Sequence, residues 1–189
     1  AASRVDVSLT PPGGLAPTNT PQMVLVTFDD AVNASTFDIV QEMLANRYNP
    51  NGTPIQATFF VSNDWTDYWL AHRLYCAGHE IAIHTMTHTT SRETALSVWR
   101  AEIVGCRRTL ARLAAIPRKD IRGFRAPFLE FNNESFQILH EQGLTYDASI
   151  TEQPGVLSES IGRMIWPYTL DNGVQQNCWT GVPPSAPLP

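Results

Sequence analysis

Short apolar runs and amphipathic stretches alternate along most of this 189-residue chain. Met23 to Phe28 is a β-rich run that ends in two aspartates, and the stretch from about Ser35 to Arg47 carries helical periodicity. The alternation then repeats. Ala57 to Val61 predicts a second strand, about Thr66 to Ala77 a helix, and Glu80 to Ile83 a third strand, after which a long helix runs to about Leu113. Further strands are expected near Ile121 to Phe124 and Leu144 to Tyr146, with a helix near Glu134 to Gln142 between them. Continuous apolar strands separated by helices imply a parallel sheet buried on both faces, because parallel crossovers lay helices against it. The pattern therefore predicts an α/β fold, open or closed as a barrel, with the barrel-like β/α arrangement favoured.

The helix after His88 has the clearest signature. Thr90-Ser91-Arg92-Glu93 matches a capping box, and Trp99, Ile103, Cys106, Leu110 and Leu113 recur at spacings of four and three. Cys106 is thus expected on a buried stripe. Cys76, at the end of the preceding helix, faces it either as a disulfide partner or as a second buried thiol. Residues 1–22, rich in Pro, Gly, Thr and Ala without periodicity, read as an N-terminal arm, and 23–189 as one domain. From about Gln153 the alternation fades, and the Pro-rich stretch Val182 to Pro189 reads as a loop entering structure beyond the last residue.

Composition narrows the function. A formal charge of -5 without a Lys/Arg block argues against nucleic acid, whose phosphates need a cationic surface. Runs such as Met23 to Val26 and Ala57 to Val61 are too short to cross a bilayer, so no membrane partner is expected. Cys76, Cys106 and Cys178 show no CxxC spacing, which disfavours a zinc ribbon or a thioredoxin-type pair. Asn33, Asn51 and Asn133 each begin an Asn-x-Ser/Thr sequon beside turn-like residues, consistent with a secreted, extracellular glycoprotein.

Candidate chemistry gathers where β/α folds place it, directly after the strands. Asp29 and Asp30 end the first run; one carboxylate can be held ionised by a metal while its neighbour takes a proton, the alternative being a turn or helix-capping pair. His84 and His88 follow the third strand, four residues apart, a spacing that suits chelation. Two imidazoles and one carboxylate leave positions open for water, which points to a catalytic rather than a structural ion. After the fourth strand, Arg125-Ala126-Pro127-Phe128 offers a fixed cation and a stiffened turn that presents the next backbone N–H.

Thr27-Phe28-Asp29-Asp30, His84-Thr85-Met86-Thr87-His88 and Arg125-Ala126-Pro127-Phe128 together resemble the polysaccharide deacetylases, carbohydrate esterase family four, and Thr20 to about Trp179 is similar to the secreted animal-type chitin deacetylases. The resemblance implies a distorted (β/α) barrel, here lacking its C-terminal part, and a monomer that acts on an N-acetylglucosamine polymer such as chitin or chitooligosaccharide. It implies one divalent ion, Zn2+ or alternatively Co2+, held by Asp30, His84 and His88. Asp29 would be the base, Arg125 its orienting partner, the Phe128 N–H an oxyanion donor and Trp166 part of the pocket wall; Asp147 would support the pocket. The family's later histidine, which protonates the departing amine, has no counterpart, since no histidine follows His140. His72 and His140 fall in predicted helices and His79 at the opposite strand end. A C-terminal segment beyond Pro189 is one expectation; a glycan-binding protein with little turnover is the other, and a hydrolase of another amide or ester is a third.

Overall fold

The computed structural model describes residues 12–92 and 94–150. They build one parallel sheet from β1 (Thr27–Asp30), β2 (Thr58–Val61), β3 (Glu80–Ile83), β4 (Gly123–Phe124) and β5 (Tyr146–Asp147). Helices α1 (Ala34–Leu44), α2 (Tyr68–Cys76), α3 (Leu96–Leu113) and α4 (Asn133–Glu141) fill the connections. The spatial order is β1-β2-β3-β4-β5, each strand laid beside its predecessor. A doubly wound sheet would reverse order at a switch point; uninterrupted winding is the habit of a barrel. The α/β, barrel-like expectation agrees with this. Trp166, Cys178 and the stretch from Gln153 onward lie outside the described residues.

Strand alternation divides the sheet into two faces. Phe59, Val61, Ile81, Ile83 and Phe124 pack against the helices, meeting Leu74 of α2, Trp99, Ile103, Cys106 and Leu110 of α3, and Ile138 of α4. Each large side chain removed from water here contributes about 1.5–3 kcal/mol. The Trp99 indole N–H donates to Ser135 Oγ at 2.8 Å, tying α3 to α4. On the other face Phe60 is covered by the Arg125 guanidinium at 4.1 Å and by the Tyr146 ring at 6.3 Å. Gly123 is required beneath that ring, because a Cβ there would lie 2.1 Å from Tyr146 Cζ.

Four local expectations are corrected. β1 begins at Thr27, not Met23; Met23, Val24 and Leu25 are 78, 78 and 82% exposed, since this edge strand pairs only where β2 runs beside it. Thr90 and Ser91 do not cap α3, which starts at Leu96 after Ala95 without a side-chain cap. The reciprocal capping box belongs instead to Asn33 and Thr36 at α1, while Asp67 and Asn132 cap α2 and α4. The buried stripe of α3 stops at Leu110, with Leu113 half exposed. Cys76 and Cys106 are free thiols: Cys76 is exposed beside His72 Nε2 at 3.3 Å, whereas Cys106 is buried and donates to the Val61 carbonyl at 3.3 Å. Burial pushes the Cys106 thiol up to about 12.

Candidate active site

The carboxyl ends of β1, β3 and β4 bring the three sequence segments to one edge. Regular alternation would send Asp30 to the helix side with Phe28, but Asp30 adopts φ 75 and leaves the strand geometry. Its Oδ1 then lies 3.3 Å from His88 Nε2 and 3.7 Å from His84 Nε2. Asp30, His84 and His88 can each offer one ligand atom, all within 4.8 Å of one another, a grouping that could hold a metal ion.

The two histidines are held differently. His84 is buried, and its Nδ1 is 2.6 Å from the Arg125 carbonyl oxygen; a proton on Nδ1 donates there and leaves the Nε2 lone pair toward Asp30 and His88. Burial lowers the His84 pKa, opposed by that hydrogen bond, and so favours the neutral, ligating form. His88 is partly exposed, and its ring meets His84 at 5.0 Å and Phe128 at 4.8 Å. The donor set therefore fits a borderline divalent cation with one solvent-facing side.

Arg125 projects across the inner face of the sheet. Its Nη1 donates to Asp29 Oδ1 at 2.6 Å and to Thr27 Oγ1 at 3.0 Å, and Nε donates to the Ala148 carbonyl at 3.1 Å. Stacked on Phe60 and fixed by three acceptors, the guanidinium holds Asp29 in one orientation. The segment behind it is braced: Ser149 Oγ accepts the Ala126 N–H at 2.8 Å and donates to Asp147 Oδ2 at 2.7 Å. This gives Asp147 a supporting place, and burial pushes its carboxyl up to about 6. Phe128 and Leu129 follow with φ 57 and 56. Left-handed backbone at bulky residues costs of order 1–3 kcal/mol each and survives where the surroundings impose it. Among the described residues the Phe128 N–H meets no acceptor.

Some participants escaped the sequence reading. Glu102 and Glu130, both buried, accept hydrogen bonds from the backbone on either side of His88. Trp65, 90% exposed at φ 65, tops a loop tied on one side to Val32 and on the other to Thr85 and Met86. An acid on the apolar stripe of α3 was the one visible signal for Glu102; nothing in the pattern marked Trp65. His79 lies at the amino ends of the strands, where Nδ1 accepts the Ala57 N–H, and His72 Nδ1 lies 2.8 Å from the Ala114 carbonyl oxygen. Neither joins the cluster, and His140 lies on α4.

Comparison with known proteins matches residues 16–146 to the family model described as polysaccharide deacetylase. Chitin deacetylase 8 of Bombyx mori is 38% identical over 183 residues, covering 94% of this chain and 47% of that protein. The chain thus spans about half the length of this relative. A family 4 carbohydrate esterase from Streptomyces lividans, solved with acetate, superposes with TM-score 0.55 at 23% identity, covering 66% of this chain and 60% of that one. A family 4 pseudoenzyme from Bacillus anthracis superposes with TM-score 0.56 at 20% identity, over 66% and 42% of the two chains. These two likenesses concern the fold.

Proposed function

The chain belongs to the polysaccharide deacetylase family, and we propose that it hydrolyses N-acetyl groups of an N-acetylglucosamine polymer, chitin or chitooligosaccharide, with one divalent ion held by Asp30, His84 and His88. One observation carries this reading: Asp29, clamped at 2.6 Å by Arg125, is the immediate neighbour of Asp30 in the metal-capable group. A binding site for glycan alone needs no oriented carboxylate beside its metal ligands. Two imidazoles and a carboxylate favour Zn2+, with Co2+ as the alternative.

When bound, the ion would lower the pKa of water and polarise the acetyl carbonyl. Asp29 takes the proton from the attacking water, and Arg125 keeps its carboxylate turned toward the reacting group. The Phe128 N–H donates a hydrogen bond to the carbonyl oxygen as negative charge develops on it. Trp65 offers an exposed face for a pyranose ring at the rim. The same reading makes the protein secreted and monomeric, with exposed Asn51 and Asn133 available for glycosylation. Among the described residues no helix is long and apolar enough to cross a membrane.

A second reading is a glycan-binding protein with little turnover, one without a group that protonates the leaving amine; residues 141–189 contain no histidine. Protonation of the leaving amine is worth roughly a hundred- to ten-thousand-fold in rate. Acetate release from acetylated chitin oligomers and from peptidoglycan, measured on the full-length natural protein with and without added zinc or cobalt, separates the two. Metal-stimulated release from chitin oligomers supports the deacetylase; glycan binding without acetate leaves the binder.

A further inference from the structure

His84 and His88 belong to one short segment yet depend on different supports. His84 ends β3 and is fixed by the Arg125 carbonyl. Among the described residues the His88 ring has only its approach to Asp30 and its contacts with His84 and Phe128, so its position there is set by its own backbone. That backbone is left-handed at His88, φ 52, and at Thr85, φ 70, a conformation that a β-branched residue adopts only under constraint.

The constraint comes from two buried carboxylates, each 8% exposed. Before His88, Glu102 Oε2 accepts the Met86 and Thr87 N–H groups, both at 2.8 Å, and Oε1 accepts the Thr87 hydroxyl at 3.0 Å. After His88, Glu130 Oε2 accepts the Thr90 hydroxyl at 2.5 Å and the Ser91 N–H at 3.0 Å, while Oε1 faces Arg92 Nε at 3.3 Å. Glu102 sits on α3 and Glu130 directly follows the Phe128–Leu129 turn, so the loop is gripped by two separate elements. Neither belongs to the metal-capable group.

We propose that Glu102 and Glu130 are positioning residues that together suspend the His88 loop, so that metal affinity depends on two carboxylates that do not touch the metal. The inference rests on the assignment of Asp30, His84 and His88 as ligands. Without Glu102, two buried N–H groups lose their acceptor and regain one only if the loop moves, taking His88 with it. At position 102 a glutamine keeps an oxygen for both N–H groups and turns its amide toward the Thr87 hydroxyl, which can accept; at 130 the amide would face Arg92 Nε, itself a donor.

The test is chelator competition for zinc by the wild-type protein and by Glu102→Ala, Glu102→Gln and Glu130→Ala, with thermal melting of each metal-free protein and the visible spectrum of the cobalt form. Both alanine variants are expected to bind zinc about ten- to a hundredfold more weakly and to change the cobalt spectrum. Glu102→Gln should stay within about threefold of wild type. If an alanine variant fails to melt cooperatively, Thr87→Val removes only the hydroxyl contact and should weaken zinc by about threefold. Alanine variants that fold and bind zinc like wild type overturn the suspension, as does a Glu102→Gln variant as defective as Glu102→Ala. A wild-type protein that binds zinc without releasing acetate sinks the deacetylase reading and leaves the suspension standing; one that binds no zinc overturns both.

Discussion

At the amino ends of the strands, His79, Glu80, Asp120 and Arg122 line a cavity of about 360 Å³, whereas a cavity of about 110 Å³ beside Asp29 and Asp30 lies between α1, α2 and the sheet and is not lined by His84, His88 or Arg125. The amino end offers volume; the carboxyl ends offer chemistry. At the amino end, His79 accepts the Ala57 N–H, Glu80 accepts the Thr58 hydroxyl, and Asp120 accepts the Tyr75 hydroxyl. Their polar atoms are committed to holding strands and helices together. At the carboxyl end, Asp30, His84 and His88 turn one ligand atom each toward a common point. Asp30, Thr85, His88 and Phe128 are all left-handed there. Convergence of unspent donor atoms, imposed at the expense of backbone strain, locates a site better than volume does.

The strongest way to break the contrast is Asp29→Asn. Acetate release from chitin oligomers should fall roughly a hundred- to ten-thousand-fold, while zinc affinity by chelator competition stays near wild type, because Asp29 is not among the ligands. Equal loss of both would place Asp29 in the metal site instead. Arg125→Lys comes next. A lysine keeps the charge but cannot hold Asp29, Thr27 and the Ala148 carbonyl in one fork. We expect kcat to drop about tenfold with KM little changed. A smaller effect is expected at the rim: Trp65→Ala should raise KM for chitin oligomers by a few-fold, about 0.5–1.5 kcal/mol of ring packing, with kcat retained. An unchanged KM would remove Trp65 from the glycan path.

The same contrast explains what the chain disclosed before its fold was known. β3 was read at its true bounds because Ile81 and Ile83 must be apolar to pack on helices, and burial of that kind is written in composition. The two motifs that meet in the metal-capable group were legible because Asp and His side chains gathered after strands are residue types that a core rarely tolerates. What lay hidden was conformation and partnership. Nothing in Met23 to Leu25 says that the neighbouring strand is absent there, so an apolar run was read as strand. Thr90 and Ser91 look like helix caps because hydroxyls near an acid look alike from sequence; their acceptor, Glu130, is 39 and 40 residues away. Glu102 shares an apolar stripe with Trp99, Ile103 and Cys106, and only the folded loop supplies the two N–H groups that make a buried carboxylate tolerable there.

The smallest effect on activity is expected at the larger cavity, through His79→Ala. The variant removes the acceptor for a buried N–H, which costs about 1–3 kcal/mol of stability, while acetate release is unaffected because the site lies at the other strand ends. A pH dependence accompanies it. Burial lowers the His79 pKa below its ordinary 6.5, so in that window the unfolded chain binds the proton that the folded one refuses. Stability is therefore present in full above about pH 6.5 and declines as pH falls toward the folded pKa. His84 shifts in the same direction and Asp147 in the opposite one, but both are common to wild type and variant. The difference in unfolding free energy between the two proteins, measured metal-free by denaturant titration, should thus shrink as pH drops below 6.5. A difference that stays constant with pH would mean that His79 is no better tied than the groups at the working end, and the distinction between the two ends would fail at its clearest point.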